Sequence, residues 1–286
     1  KEFDGVTVTL RAVGTGETSG EEPDAPKALK GVWNKAGLAL GATRATDGVM
    51  GTSGSQAPTA MEMEISGLPP GPQSLATYHN VLDDASLAPY AITVNGEAAT
   101  SVEPSRRAAD NLAVASAFIE FTARADQPTI IRMAPQDESL PTAVILNGFE
   151  LGAVDPSRKT NTPSPANNDE HVDAESGKLK LSWHAPASAV KYEVYFASAS
   201  SGKAAFDAIA AARPGNETHV GTVSETSVPI TVAPLKTLLH YAWRVDAVDA
   251  DGHVTHGDVW QFRPRHLAFP GAEGYGRFAI GGRGGR

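Results

Sequence analysis

The chain has 286 residues, enough for two domains of about 150 residues each. Its 24 Lys and Arg against 33 Asp and Glu give a net charge of −9, which argues against a general nucleic-acid or anionic-membrane binder and leaves neutral or weakly charged partners. The absence of cysteine excludes disulfides and thiolate chemistry, ordinary Gly and Pro usage excludes a collagen-like or wholly disordered chain, and no apolar run reaches the roughly 18 residues of a membrane helix.

Val6, Thr7, Val8, Thr9 and Leu10 alternate with period two and predict a strand; the Gly-, Glu- and Pro-rich stretch 14–26 predicts a loop. Further strands are predicted over 60–65, 73–78, 91–94, 117–122, 129–133 and 143–151. Gly67-Leu68-Pro69-Pro70-Gly71 and Asn95-Gly96 mark turns, the second a two-residue hairpin whose returning strand is expected to start at Ala98. Met61 and Met63 alternate with Glu62 and Glu64 and are expected to face the core. Many short strands without a sustained helical period predict an all-β, jelly-roll-like β-sandwich over 1–155. Residues 156–177 are polar, carry three prolines and read as a linker.

A second domain is expected over 178–265. Leu179, Leu181 and Trp183 alternate with polar residues, as do Tyr192, Val194 and Phe196. The Ala-rich run 202–213 predicts a helical insertion packing through Phe206, Ile209 and Ala210. Strands resume over 219–223 and 227–232, then through Tyr241, Trp243, Val245 and Ala247, and through Val259, Gln261 and Arg263. Asp249-Ala250-Asp251-Gly252 forms the intervening loop.

Residues 175–265, with their WHAP, YEVYF, YAWRVDAVDADG and GDVWQF segments, resemble a fibronectin type III domain of the kind bacteria attach to extracellular carbohydrate-active proteins. By that resemblance Trp183, Tyr192, Tyr195, Tyr241 and Trp243 fall on core strands, and the helical insertion departs from the family pattern. The stretch from Met61 to Asn80 resembles sandwich modules found upstream of polysaccharide lyases.

Residues 268–285, AFPGAEGYGRFAIGGRGG, hold seven glycines in eighteen positions, too little apolar volume for a core of their own. Phe269, Tyr275 and Phe278 are the large anchors, expected to enter pockets on a partner surface, which the resemblance that follows makes a β-helix. The string resembles the amino-terminal segment of pectate lyases and related right-handed parallel β-helix polysaccharide lyases. Residues 266–286 are thereby expected to be the first segment of such a domain, which in that family continues well beyond a position equivalent to Arg286; a cut end or a proteolytic nick after arginine accounts for the stop. The chemistry implied is β-elimination. Calcium offsets the uronate charge and acidifies the α proton, a basic side chain removes it, and the 4-O-glycosidic bond leaves. In that family the calcium ligands and the base sit on the downstream β-helix, so no catalytic residue or cofactor is assigned to this chain, and neither Arg277 nor Arg283 receives the role.

For sugar contact the chain offers Trp33 and the string Tyr78-His79-Asn80, with Asn34, Arg44 and Asp47 as companions, because an exposed aromatic plane beside polar side chains meets both the C–H face and the hydroxyls of a sugar. The other reading has Tyr78 closing the core above a solvated loop. Asp83 and Asp84 offer a calcium alternative without the ligand spacing of a dedicated loop. Trp183 and Trp243 read as buried mass, with Trp260 less determined. His240, His253 and His256 pose a zinc question, and Asp249, Asp251 and Asp258 a calcium question against a solvated acidic turn. GTGETSG at 14–20 lacks the Lys-Ser/Thr of a phosphate loop, and GTSGS at 51–55 is not a nucleophile elbow. The expected protein is a noncatalytic part of a secreted, periplasmic or surface-bound bacterial polysaccharide lyase. It braces a downstream β-helix domain or second chain and contacts a uronate polymer. A binding module for neutral polysaccharide side chains and a pair of ligand-free spacers are the alternatives.

Overall fold

The computed structural model describes residues 2–3, 5–14, 27–33, 43–53, 59–83, 85–136, 143–173, 177–231, 239–265, 272, 274 and 276–277. The chain divides into two compact units, Lys1–Val154 and Asp155–Arg286. Both are built from β-sheets, so the architecture is all-β and of the multi-sheet sandwich kind.

In the first unit, one sheet runs in the order Glu2–Phe3, Val6–Gly14, Thr59–Ser66, Thr129–Pro135, Tyr90–Val94, Glu97–Val102. A second joins Ala115–Ala123, Gly71–Val81 and Gly148–Leu151, and a third joins Val144–Leu146, Asp47–Ser53 and Lys27–Trp33. Alternation decides which side chains are buried: Met61, Met63 and Ile65 are fully inaccessible, while Glu62 pairs across the strands with Arg11 and Arg132 at 2.8 Å each. Burial raises the Glu62 carboxyl pKa, but hydrogen bonds and attraction from the two guanidinium groups outweigh it and leave it below the usual value. At the hairpin, Asn95 and Gly96 both adopt positive φ, 50° and 87°, and the returning strand begins at Glu97, one residue before Ala98.

Two strands absent from the sequence reading, Lys27–Trp33 and Asp47–Ser53, pair with Trp33 opposite Asp47. Glycine dilutes their hydrophobic pattern for a packing reason: a Cβ on Gly48 would stand 2.9 Å from the Leu146 carbonyl oxygen. The predicted strand over 143–151 is two strands split at Asn147. Asn147 Nδ2 donates to the Asp47 carbonyl (2.8 Å), and its Oδ1 accepts the Asn80 backbone N–H (2.6 Å), tying two sheets at the corner.

The stretch 156–177, read as a linker, belongs to the second unit and carries structure. Asn161–Ser164 pairs with Lys178–His184, and Asp169–Val172 runs parallel to Trp260–Pro264. Such polar residues suit edge strands, where only the backbone and one anchor need be buried; here Val172 and Thr160 are buried, and Thr160 Oγ1 donates to the Val245 carbonyl at 2.8 Å. The unit's sheets are Asn161–Ser164, Lys178–His184, Ser227–Thr231 and, opposite, Asp169–Val172, Trp260–Pro264, His240–Asp249, Ala189–Ala199, His219–Val223. Trp183, Trp243 and Trp260 are all buried together, with the last two ring centroids 4.6 Å apart.

The helix is Gly202–Ala210, with the Ser201 hydroxyl capping Ala204 N–H. Its buried face is Gly202, Ala205 and Ile209; Phe206 is 40% exposed and Ala210 is exposed, correcting the packing set Phe206, Ile209, Ala210. The approach of Gly202 to Gln261 and His240 turns the small-residue face inward. Phe269, Tyr275 and Phe278 lie outside the described residues; near them Ala272 is buried and Arg277 N–H donates to the Gly274 carbonyl.

Candidate functional site

The string Tyr78-His79-Asn80 sits on the Gly71–Val81 strand, and period two places His79 on the face opposite Tyr78 and Asn80. His79 is completely buried. Its Nδ1–H donates to the Ile145 carbonyl at 2.7 Å, so Nε2 accepts the Thr77 hydroxyl at 2.9 Å, and its ring meets Tyr90 edge-on with centroids 5.4 Å apart. Burial lowers its pKa to about 4, against a raising contribution from the Ile145 hydrogen bond. Tyr90, whose hydroxyl accepts the Ile145 N–H at 3.1 Å, has its pKa raised by burial. Asn80 is equally buried: Nδ2 donates to the Ala45 carbonyl, and Oδ1 accepts the Ser105 hydroxyl and the Ala108 N–H. Both side chains are used up in holding the fold, so they do not form the sugar-facing surface expected of them.

Tyr78 lies half-buried. The Arg44 guanidinium carbon sits 3.9 Å from its ring centroid, and Glu150 Oε2 accepts the Tyr78 hydroxyl at 3.1 Å and pairs with Arg44 at 3.4 Å. One aromatic face is therefore covered by a cation. Glu150, which sequence reasoning passed over, is the residue that completes this cluster.

Trp33 is different: it is 70% exposed at the end of its strand. It lines a groove of about 430 Å³ with Val32, Met50, Val81 and Ile145 as apolar wall and Lys30 and Asp83 as polar groups. The Ile145 backbone in that wall is held by His79 and Tyr90, which makes the buried pair the support of the groove rather than its lining. Tyr78 and Arg44 do not line it. Asp83 Oδ1 accepts the Ala85 N–H at 2.9 Å; Asn34 and Asp84 lie outside the described residues. The wall residues come from four separate strands or their ends, so no local sequence signal joins them.

In the second unit the three histidines separate. His256 Nδ1 bonds Asp246, His253 lies 3.3 Å from Asp249, and His240 packs near Gly202. Asp249, Asp251 and His253 offer ligand atoms within 4.8 Å of one another, while Asp258 pairs instead with Lys159 at 3.2 Å. Asp249 already accepts the Asp251 and His253 N–H groups and faces Arg158, which describes a turn closed on itself. Among the described residues no helix is long and apolar enough to cross a membrane.

No family profile and no curated protein matches the chain. Among solved structures it is similar to an Fn3-like protein from Clostridium thermocellum, at 18% identity and a TM-score of 0.25, covering 38% of this chain and 95% of that one. It is also similar to a Paenibacillus xanthan lyase, at 10% identity and a TM-score of 0.31, covering 83% of this chain and 25% of that one. The N-terminal CBM22-1-CBM22-2 tandem domain of Paenibacillus barcinonensis Xyn10C matches at 9% identity and a TM-score of 0.33, covering 89% and 85%. At these scores no residue of theirs is placed on a residue of this chain.

Proposed function

We propose that this chain is a noncatalytic, carbohydrate-associated region of an exported polysaccharide-degrading protein, and that the Trp33 groove is where it meets sugar. The groove carries the reading: an accessible indole beside an apolar wall accepts the C–H face of a pyranose, while Lys30 and Asp83 flank it with a donor and an acceptor for hydroxyls. The glycine-rich 268–285 string supports the finer reading, in which the chain braces the β-helix of a uronate-polymer lyase whose calcium and base are supplied downstream. A second reading, a module for neutral side chains such as galactan or arabinan, is favoured by the net charge of −9 and by a groove whose lining carries one cation, Lys30, and one anion, Asp83.

Affinity electrophoresis of the full chain through gels containing pectin, galactan or arabinan tests both. Retardation lost in Trp33→Ala and kept in Arg44→Ala supports the groove, and the polymer that retards selects between the readings. No retardation on any of them overturns sugar binding. Ultraviolet-absorbing unsaturated product released from pectate by this chain alone overturns its noncatalytic assignment.

A further inference from the structure

The second unit holds a cavity of about 380 Å³ that none of the preceding argument uses, and its polar wall is assembled with unusual completeness. The frame is the buried pair Arg244 and Asp246, 5% and 0% exposed at the side chain. Arg244 spends all five N–H donors: Nε and Nη2 on the Asp246 carboxylate, and Nη1 and Nη2 on the carbonyls of Ile209, Ala210 and Ala212 at the helix C-terminus. Asp246 in turn accepts Gly257 N–H at 3.1 Å and His256 Nδ1 at 2.8 Å. Because a carboxylate only accepts, His256 carries its proton on Nδ1, and Nε2 is the nitrogen left for another group; the ring is 65% exposed. The opposite wall is set in the same manner. Glu193 accepts His219 Nε2 at 2.8 Å and the Thr222 hydroxyl, while His219 Nδ1 accepts Gly215 N–H.

Lys191 and Arg213 also line this cavity. Both are exposed, and among the described residues neither forms an ion pair with a carboxylate. The Glu193 and Asp246 carboxylates, the acids that line the same cavity, are already engaged by His219, Thr222, Arg244 and His256. Two cations thus stand beside an oriented imidazole without a carboxylate partner among the described residues, Arg213 Nη1 donating only to the Ala212 carbonyl at 3.3 Å, and Tyr195 also lines the wall. The volume suits one monosaccharide-sized molecule.

We propose that this cavity binds a small hydroxylated monocarboxylate, a sugar acid: Lys191 and Arg213 take the carboxylate, His256 Nε2 and the remaining lone pairs of Glu193 take hydroxyls, and the Arg244–Asp246 pair holds the imidazole in place. The site is independent of the Trp33 groove.

The test is titration of the full chain with galacturonic acid, followed by calorimetry and by the His256 ring resonances, with galactose as the neutral control. Saturable binding of the acid with movement of the His256 signals is expected, and galactose is expected to bind far more weakly. Lys191→Ala/Arg213→Ala, on exposed positions that leave the core intact, is expected to weaken the acid by roughly tenfold or more. Trp33→Ala is expected to leave the movement of the His256 signals unchanged, whatever the groove itself binds, which separates this site from the groove. Equal binding of galactose, unchanged binding in the double variant, or no saturable binding each overturns the proposal.

Discussion

The two units bury polar side chains in opposite ways. The first encloses neutral groups, the His79 imidazole and the Asn80 amide, each satisfied by backbone and hydroxyl partners. The second encloses a full ion pair, Arg244 with Asp246, which it uses to close a helix terminus. A neutral network has its weak point in protonation; an ion pair has it in the loss of one member, because the survivor remains charged in a dry site.

The largest effect expected is therefore from Asp246→Ala, which strands Arg244: a loss of about 3–5 kcal/mol in the second unit, read by urea unfolding followed through tryptophan fluorescence. Replacing both members by apolar residues is expected to cost less than the single change, and the reverse order would contradict this account of the pair. Next comes acid. His79 has its pKa lowered from 6.5 to about 4 in the folded state, so between these values the unfolded chain binds a proton that the folded chain refuses. Its contribution is complete above about pH 6.5 and is lost as pH falls toward 4, about 3 kcal/mol in all by linkage. Glu62, held below 4.5 by Arg11 and Arg132, loses its contribution at still lower pH and in the same direction. A flat stability profile for the first unit across that window would remove His79 from its buried, neutral role.

Smaller again is Asn80→Ala, which leaves the Ala45 carbonyl and the Ala108 N–H without their partner and is expected to cost about 2 kcal/mol in equilibrium unfolding. Smallest in stability is Trp33→Ala, within about 0.5 kcal/mol for an exposed side chain, yet it is the substitution expected to abolish polysaccharide retardation. A large fall in melting temperature for Trp33→Ala would make it a packing residue and sharpen the contrast in the other direction.

Period-two alternation is enough to find most strands and to place Met61, Met63 and Trp183 inside, since in a half-buried strand the facing of a side chain follows from its parity, whereas Trp243 lies on a strand buried on both faces and is placed inside by its apolar bulk alone. It was not enough where glycine broke the pattern, at Lys27–Trp33 and Asp47–Ser53, or where polar edge strands looked like a linker, at Asn161–Ser164 and Asp169–Val172. The candidate site was legible only in part. Trp33 stands out as an aromatic beside polar residues, but parity puts His79 on the opposite side of its strand from Tyr78, so contiguous polar residues on a strand do not make one surface.

What the amino-acid order determined by itself is the class of the molecule: all-β, two units, an aromatic core in the second, no thiol chemistry, and a net negative charge. Those properties depend on composition and on neighbours one or two positions apart. Tertiary structure alone decided that Trp33 is open while Trp260 is closed, that His79 and Tyr90 support the groove through Ile145, and that Arg244, Asp246 and His256 meet around one cavity. Each of these joins residues from separate strands and loops, and which strands lie side by side is a matter of long-range pairing that no local pattern encodes.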